Sequence, residues 1–325
     1  MKLGIIGNGM IVQTALRSLE GSDIPVKALW CRNAAKGQPL CGQYSIEKLY
    51  TDFDGFLEDD SFDTVYVGLI NSLHYEYAKK ALLAGKNVIC EKPLTSTYEE
   101  AEELVRIAEG KKLYLFEAIM SRYSRNYECL PEAVKQTGEM KVILCNYSQY
   151  SRRYDDYAAG KVLPAFDPAL SGGALYDINV YNVHFVTGLF GRPQKVVYEA
   201  NKGFNGIDTS GVLVLDYGTF KAVCTGAKDC SSVNGIILEG TKGWIRMDSR
   251  PGMIRSLTLH TPEGETVLDV CEEPDPMRTE FEKIASVLQN ADYEKMRAWL
   301  EQSLITMEVL TEARKYAGIR FPADA

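Results

Sequence analysis

The chain has 325 residues, of which 46% are apolar and 25% are charged. This composition is ordinary for a soluble globular protein and excludes disorder, collagen and a long coiled coil. Acidic residues outnumber basic ones by 44 to 36, and the resulting net charge of −8 offers no basic footprint for nucleic acid or an anionic membrane. The apolar runs are too short to span a bilayer. We expect no signal peptide, because strand-like residues begin at Lys2.

The cysteine and histidine content favours a reducing compartment. Eight cysteines are present but none belongs to a Cys-x-x-Cys pair, and three histidines accompany them, so the spacing typical of a metal site is absent. Several cysteines lie in apolar strand-like runs, as Cys90 and Cys145 do, where we expect them to pack as small hydrophobic residues. We therefore predict a cytoplasmic protein with no bound metal.

Residues 1–118 alternate between short strand-like runs and helical patterns. Strands are predicted at residues 2–6, 26–31, 63–70, 86–90 and 113–116. Helices are predicted at residues 10–19, 53–57, 73–84 and 97–109, and a weak helical segment at 33–43 is expected to break at Pro39. This alternation indicates right-handed crossovers and a parallel sheet covered on both faces. We therefore predict an α/β domain with a Rossmann-type, doubly wound parallel sheet over residues 1–118.

Beyond residue 118 strand-like runs follow one another. They are predicted at residues 141–150, 195–201, 210–215, 221–225, 235–239, 244–247, 254–260 and 265–270. Turn signals such as Asn234-Gly235 separate several of them, and helical patterns flank the series at 174–190 and 278–316. Residues 119–325 are therefore predicted to form an α+β domain with a large, mostly antiparallel open sheet.

A glycine turn lies between the first predicted strand and the first predicted helix. Gly7 and Gly9, followed by Met10 and Ile11, occupy the place where unpaired helix N–H groups can bind a pyrophosphate. Val12 stands where a third glycine is usual, so the fingerprint is incomplete. The glycine turn lies in a strand–turn–helix that opens a βαβ series, and this position predicts dinucleotide binding; a tight turn without a ligand is the alternative.

The residues after the second predicted strand bear on the choice of cofactor. An acid there would accept a hydrogen bond from the ribose 2′-OH of NAD, whereas an arginine can accommodate the 2′-phosphate of NADP. Arg32 follows this strand, with Lys36 close behind. The sequence therefore favours NADP over NAD, and solvated surface charge is the alternative for both residues.

Polar side chains follow three later strands, at the edge where an open parallel sheet binds its ligand. They are Asn71 and His74 after residues 63–70, Glu91 and Lys92 after 86–90, and Glu117 and Arg122 after 113–116. We expect Lys92 to donate to a substrate oxygen, in a turn that Pro93 restricts and in which a cis bond is one option. His74 opens a helix, where a structural role is the alternative to a cofactor contact.

Four motifs together carry a family resemblance. They are Gly7-x-Gly9, Asn71-Ser72-Leu73-His74, Glu91-Lys92-Pro93 and Gly172-Gly173-Ala174-Leu175-Tyr176-Asp177. With these motifs the chain resembles the glucose–fructose oxidoreductase / inositol dehydrogenase family (Gfo/Idh/MocA), and residues 117–122 and 174–181 most resemble its dihydrodiol dehydrogenase-like branch. The resemblance implies NAD(P)-dependent oxidation or reduction of a sugar, polyol or diol. It also implies a homodimer or homotetramer assembled through the sheet of the second domain.

The resemblance also implies roles for residues of the first domain. By position, Lys92 resembles the family's catalytic lysine. Glu91 and Asn71 resemble its contacts to the nicotinamide ribose. Together with the glycine turn, Arg32, His74 and Arg122, they complete the predicted cofactor site.

The predicted substrate and acid–base groups of the second domain follow its glycine pair. Asp177 resembles the acid that orients the substrate, and four residues later this chain has Tyr181 where many members have a histidine. The spacing places both on one face of a helix. We predict a proton relay between Tyr181 and Lys92, whose ammonium would favour the phenolate, with His184 one turn further as the alternative acid–base group.

Two functions from different classes remain open at this point. The first is an oxidoreductase that transfers a hydride between nicotinamide C4 and a secondary alcohol or ketone carbon. The second is a catalytically silent dinucleotide-binding regulator on the same fold, because a fold alone does not determine activity. Lys92 and Asp177 favour the enzyme, and the missing histidine at Tyr181 is the point against it.

Overall fold

The computed structural model describes residues 1–269 and 275–325; the end of the strand predicted at 265–270 and Cys271 lie outside them. Contacts divide the chain into two compact units, Met1–Ala118 with Met277–Leu304 and Ile119–Pro276 with Ile305–Ala325. The predicted second domain, 119–325, therefore differs from the structure over Met277–Leu304. This segment joins the first unit because its aromatic side chains pack there: the Phe281 ring lies 5.4 Å from that of Tyr66, and Trp299 lies 6.2 Å from Phe116.

The described part of the first unit contains a six-stranded parallel sheet. Its strands are β1 (Leu3–Ile6), β2 (Val26–Trp30), β3 (Lys48–Tyr50), β4 (Thr64–Val67), β5 (Asn87–Glu91) and β6 (Leu115–Ala118). They lie in the order β3-β2-β1-β4-β5-β6, and each pairing is parallel. All residues of β1, β4 and β6 are buried, as expected for a sheet covered on both faces. The predicted doubly wound fold is confirmed, whereas β3 was not predicted.

Five helices connect these strands. They are α1 (Met10–Leu19), α2 (Ala34–Tyr44), α3 (Phe53–Leu57), α4 (His74–Leu83) and α5 (Tyr98–Lys111). The predicted break at Pro39 is wrong, because α2 continues through it. Proline cannot donate the backbone hydrogen bond of a helix, but the packing of α2 compensates for this loss. A Cβ on Gly37 would lie 2.7 Å from Cys31 Sγ, and Leu40 and Cys41 are buried.

The second unit is built around a larger sheet. Its strands are β7 (Met140–Ser148), β8 (Lys195–Lys202), β9 (Asp208–Asp216), β10 (Lys221–Ala227), β11 (Gly235–Gly240), β12 (Trp244–Met247), β13 (Leu257–Thr261) and β14 (Gly264–Leu268). The eight described strands lie in the order β14-β13-β12-β11-β7-β10-β9-β8. Two antiparallel meanders thus flank β7, which pairs in parallel with β10. The prediction of a large, mostly antiparallel sheet is confirmed.

The second unit contains the short helices α6 (Arg125–Glu128), α7 (Leu130–Gln136) and α8 (Tyr154–Ala158). One face of the sheet is covered by α9 (Val180–Phe190) and by the wide helical turn that it continues, Leu175–Asn179. On the opposite face apolar side chains remain exposed, Leu144 by 40% and Val212 by 42%. The last helices are α10 (Pro276–Gln289) and α11 (Tyr293–Tyr316). Within residues 1–269 and 275–325, no helix has the length and apolar character needed to cross a membrane.

Candidate active site

The glycine turn lies where the strand order of the first sheet reverses, between β1 and β4. Gly7 has φ +113°, and a Cβ there would lie 2.6 Å from the Gly68 carbonyl oxygen, so this position requires glycine. Gly9 precedes α1, and a Cβ on it would meet no atom within 4 Å. Met10 is exposed and Ile11 half-buried. The uncrowded start of α1, at the switch point of the sheet, fits the pyrophosphate of a dinucleotide.

The structure explains how Val12 replaces the third glycine of the usual fingerprint. That glycine allows close packing between helix and strand, and here the small residue lies on the opposite side of the contact. Val12 is fully buried, and a Cβ on Gly68, just beyond β4, would lie 2.5 Å from its Cγ2. Gly68 therefore provides the space that the missing glycine would have provided.

Arg32 lies just beyond the carboxyl end of β2, the strand adjacent to β1, and Lys36 lies in the first turn of α2. Both are exposed. Between them, Asn33 accepts a hydrogen bond from the Ala35 N–H at 3.0 Å and caps α2. An exposed guanidinium beside the first strand is available to a 2′-phosphate, so the preference for NADP stays a prediction.

Two buried carboxylates lie around the turn that carries Lys92. Glu91 is the last residue of β5 and Glu117 lies inside β6, so both belong to the strands rather than following them as predicted. Glu91 accepts a hydrogen bond from the Tyr66 hydroxyl at 2.6 Å, and Glu117 accepts one from the Leu94 N–H at 3.0 Å. Burial raises the pKa of Glu91, while Tyr66 and Lys92 act against that shift. Lys92 is half-buried, and its charge acts on the neighbouring Glu91 carboxylate.

His74 and Asn71 lie between β4 and α4. Asn71 is half-buried in a short helical turn. His74 is fully buried, with Nδ1 2.8 Å from the Pro93 carbonyl oxygen and Nε2 3.2 Å from that of Leu69, and burial lowers its pKa. The histidine thereby links two loops at the carboxyl edge of the sheet, including the cis Lys92–Pro93 peptide. These contacts favour the structural alternative, and its contact with the cofactor stays a prediction.

The glycine pair of the second unit is explained by close backbone packing. A Cβ on Gly172 would lie 2.7 Å from the Pro164 carbonyl oxygen. Gly173 has φ +102° and donates its N–H to the Ala165 carbonyl at 3.1 Å. The pair therefore seats the 164–166 turn directly against the start of the helical segment that carries Asp177.

Asp177 and Tyr181 lie on consecutive turns of this segment. Asp177 falls within the wide turn Leu175–Asn179, a type of irregularity that is frequent at functional sites. Its side chain is 39% exposed and forms an ion pair with Lys228. Tyr181 is half-buried, with its ring 5.9 Å from that of Tyr147. Both predicted groups thus reach the surface of the second unit.

His184 and Arg122 are buried together in the second unit. Nδ1 of His184 lies 3.3 Å from Nη2 of Arg122 and 3.3 Å from the Thr306 hydroxyl, and the two side chains are 4% and 8% exposed. Sequence reasoning placed Arg122 in the cofactor site and His184 in the substrate site. Their mutual contact favours a structural role for both, and the predicted ligand contacts stay predictions.

Sequence reasoning missed Lys228, the partner of Asp177. Lys228 directly follows β10 and is 51 residues away from Asp177 in the chain. Its local sequence shows only a lysine after a strand, a position at which lysines are usually solvated. The signal is the 3% exposure of its side chain, which only the folded structure reveals.

A parallel sheet in this order, with an uncrowded glycine turn at its switch point, defines a Rossmann-type dinucleotide-binding protein. Comparison with known families agrees: a family described as "Oxidoreductase family, NAD-binding Rossmann fold" matches residues 1–118. The "GFO/IDH/MocA C-terminal domain" matches residues 134–246. The chain belongs to the Gfo/Idh/MocA oxidoreductase family, which confirms the resemblance seen in its motifs.

Individual relatives extend this similarity over the full length. The chain is 31% identical to the scyllo-inositol 2-dehydrogenase (NADP(+)) IolU of Bacillus subtilis, over 100% of this chain and 99% of that protein. It is 26% identical to human trans-1,2-dihydrobenzene-1,2-diol dehydrogenase, again over 100% and 99%. Among solved structures, the 3-ketoreductase KijD10 of Actinomadura kijaniata superimposes with a TM-score of 0.83 at 22% identity, over 99% of this chain and 98% of that one. This last likeness confirms the fold.

Proposed function

We propose that this protein transfers a hydride between nicotinamide C4 of NADP or NAD and a secondary alcohol or ketone carbon of a polyol, diol or sugar. The observation that carries the proposal is the arrangement of the first sheet. The glycine turn follows β1, and Lys92 follows β5, two strands away in the same parallel sheet. Both therefore lie at the carboxyl edge, where such sheets bind their ligands.

NADP is the proposed cofactor of choice. Arg32 is exposed just beyond β2, where an arginine suits a 2′-phosphate. The name of the Bacillus subtilis relative specifies NADP(+). The substrate class rests on the same relatives, whose names specify an inositol and a dihydrobenzene diol. Both are cyclic compounds with adjacent hydroxyl groups.

The cofactor supplies the hydride exchange, and the residues of the chain supply orientation and proton transfer. The Lys92 ammonium donates a hydrogen bond to the oxygen of the reacting carbon. As the phenolate, which the Lys92 ammonium favours, Tyr181 takes the proton of the alcohol and becomes the phenol; in the reverse direction the phenol returns this proton to the ketone oxygen. The Asp177 carboxylate accepts a hydrogen bond from a neighbouring hydroxyl and so orients the ring. Glu91 and Asn71 bind the ribose of the nicotinamide nucleotide.

The proposal also includes an assembly and a location. The uncovered face of the second sheet, where Leu144 and Val212 are exposed, is the surface through which we expect a homodimer or homotetramer to form. The abundance of buried thiols, with Cys90, Cys145 and Cys224 buried in strands, suits the cytoplasm.

The experiment combines cofactor binding with turnover. NADPH and NADH are titrated by fluorescence, and turnover is screened over polyols, aldoses and aromatic diols for the wild type and for Lys92→Ala. Lys135→Ala, at an exposed lysine of α7, is the control. The proposal expects turnover that Lys92→Ala abolishes while NADPH binding persists. Binding without turnover on every panel member would support the silent regulator instead.

A further inference from the structure

Lys228 carries a buried ammonium group at the end of β10. Its side chain is 3% exposed. The Nζ atom forms an ion pair with Asp177, donates to the Ala165 carbonyl at 3.2 Å and lies 4.7 Å from the centroid of the Phe166 ring. A lysine this buried destabilises a protein unless it is paired. Its three contacts satisfy that requirement, and all of them involve the segment 165–177.

The partner of this ammonium is the more exposed member of the pair. Asp177 is 39% exposed, so Lys228 holds the carboxylate from the protein interior while the carboxylate reaches the surface. A surface ion pair between two flexible chains contributes little. Here one partner is buried and is also held by Ala165 and Phe166, so the pair restricts the orientation of the acid and favours its ionised form.

An aromatic stack supports the position of Lys228. The Phe166 ring stacks on Tyr157 at 4.7 Å, and Tyr157 stacks on Phe204 at 4.6 Å. Asn205 connects two of these rings, because its side chain accepts a hydrogen bond from the Tyr157 hydroxyl at 2.6 Å and donates one to the Phe166 carbonyl at 2.8 Å. Contacts with Tyr157 and Asn205 therefore hold the Phe166 ring that the Lys228 ammonium faces.

Asp208 also interacts with this lysine, and Asp229 follows it in the chain. Asp208 is buried and accepts from the Leu175 N–H at 2.6 Å and from the Tyr198 hydroxyl at 2.8 Å. Burial raises its pKa, and the charge of Lys228 opposes that shift. Asp229 accepts from the hydroxyls of Thr209 and Ser210 at 2.7 and 2.9 Å. Both of these acids have their own donors, whereas Asp177 is the carboxylate that Lys228 itself contacts.

We propose that Lys228 is a positioning residue: it holds Asp177 ionised and aimed at the substrate, and thereby sets the acid limit of the reaction. This inference rests on the proposed function of Asp177. Without the ammonium, Asp177 takes up a proton more readily and loses its fixed orientation. Activity then falls at low pH more than at high pH.

The test compares the pH profiles of kcat and kcat/KM for the wild type, Lys228→Met, Lys228→Arg and Asp177→Asn. For Lys228→Met we expect kcat/KM at neutral pH to fall about tenfold or more and the acid limb to move up by about one pH unit. Lys228→Arg keeps the charge and should restore the position of the limb. Lys161→Met, at an exposed lysine paired with Asp156, is the control and should match the wild type.

The outcomes separate the two proposals. An active Asp177→Asn overturns the proposed role of Asp177 itself. If Asp177→Asn is inactive but Lys228→Met keeps the wild-type kcat and pH profile, only the proposed role of Lys228 is overturned. If Lys228→Met does not fold, Phe166→Leu replaces it, since this change loosens the ammonium and keeps both charges. A lowered kcat with a raised acid limb then supports the proposal, and a wild-type profile overturns it.

Discussion

The contact between Val12 and Gly68 makes a quantitative prediction about the cofactor turn. A Cβ at residue 68 would lie 2.5 Å from Val12 Cγ2 and 3.0 Å from Tyr66 Cε1, whereas carbon atoms pack at about 3.5–4.0 Å. The helix start must therefore move by about 1 Å, or a side chain must leave its rotamer. Overpacking of this kind costs about 1–3 kcal/mol. We expect Gly68→Ala to lower the free energy of unfolding by this amount.

A double-mutant cycle assigns that cost to one pair of atoms. Val12→Ala removes Cγ2 from a fully buried position and by itself costs about 1–2 kcal/mol. If the crowding arises at Cγ2, Gly68→Ala should cost little in the Val12→Ala background. The coupling free energy should then reach about 1–2 kcal/mol. Urea unfolding followed by circular dichroism measures all four proteins, and NADPH titration shows whether cofactor binding follows the same pattern.

Gly110→Ala provides the matched control. Gly110 lies inside α5, and a Cβ there would meet no atom within 4 Å, so alanine should stabilise the protein by about 0.5–1 kcal/mol. The reasoning is refuted if Gly68→Ala is equally destabilising with Val12 and with Ala at position 12. That result would place the crowding at the Tyr66 ring, and Val12 would have no compensating partner.

Three further predictions concern the site. Gly9 has φ −71°, and a Cβ on it would meet no atom within 4 Å. We therefore expect Gly9→Ala to change the free energy of unfolding by no more than about 0.5 kcal/mol but to weaken NADPH binding about tenfold or more, as measured by titration. Unchanged binding would argue against a pyrophosphate at this turn. Tyr181→Phe should lower kcat about 100-fold. Near-wild-type turnover would instead assign the acid–base role to His184 or to Lys92 alone. Burial lowers the pKa of His74, so the unfolded state binds more protons below about pH 6.5 and stability falls as the pH falls through that range. Urea midpoints at pH 7.5 and 5.5 should therefore differ less in His74→Gln than in the wild type, and equal differences would contradict this account.

The local pattern was sufficient for most of the elements. Strand-like and helical runs alternate over residues 1–118 because each buried parallel strand must be apolar and each covering helix amphipathic. The predicted helix at 53–57 and strand at 244–247 coincide with α3 and β12. Errors arose where packing outweighed local preference. Pro39 lies inside a continuous helix because the close contact of Gly37 with Cys31 and Leu49 holds that helix in place.

By itself the sequence determined the class of fold, the glycine turn, the family and the polar residues that follow the strands, because these depend on local periodicity and short motifs. The tertiary structure alone decided which groups meet over long separations. It brought Gly68 to Val12, the buried Lys228 to Asp177, and Arg122 to His184. The physical reason is that burial and pairing are properties of the folded chain, and a charged residue reads the same in the sequence whether it is solvated or enclosed.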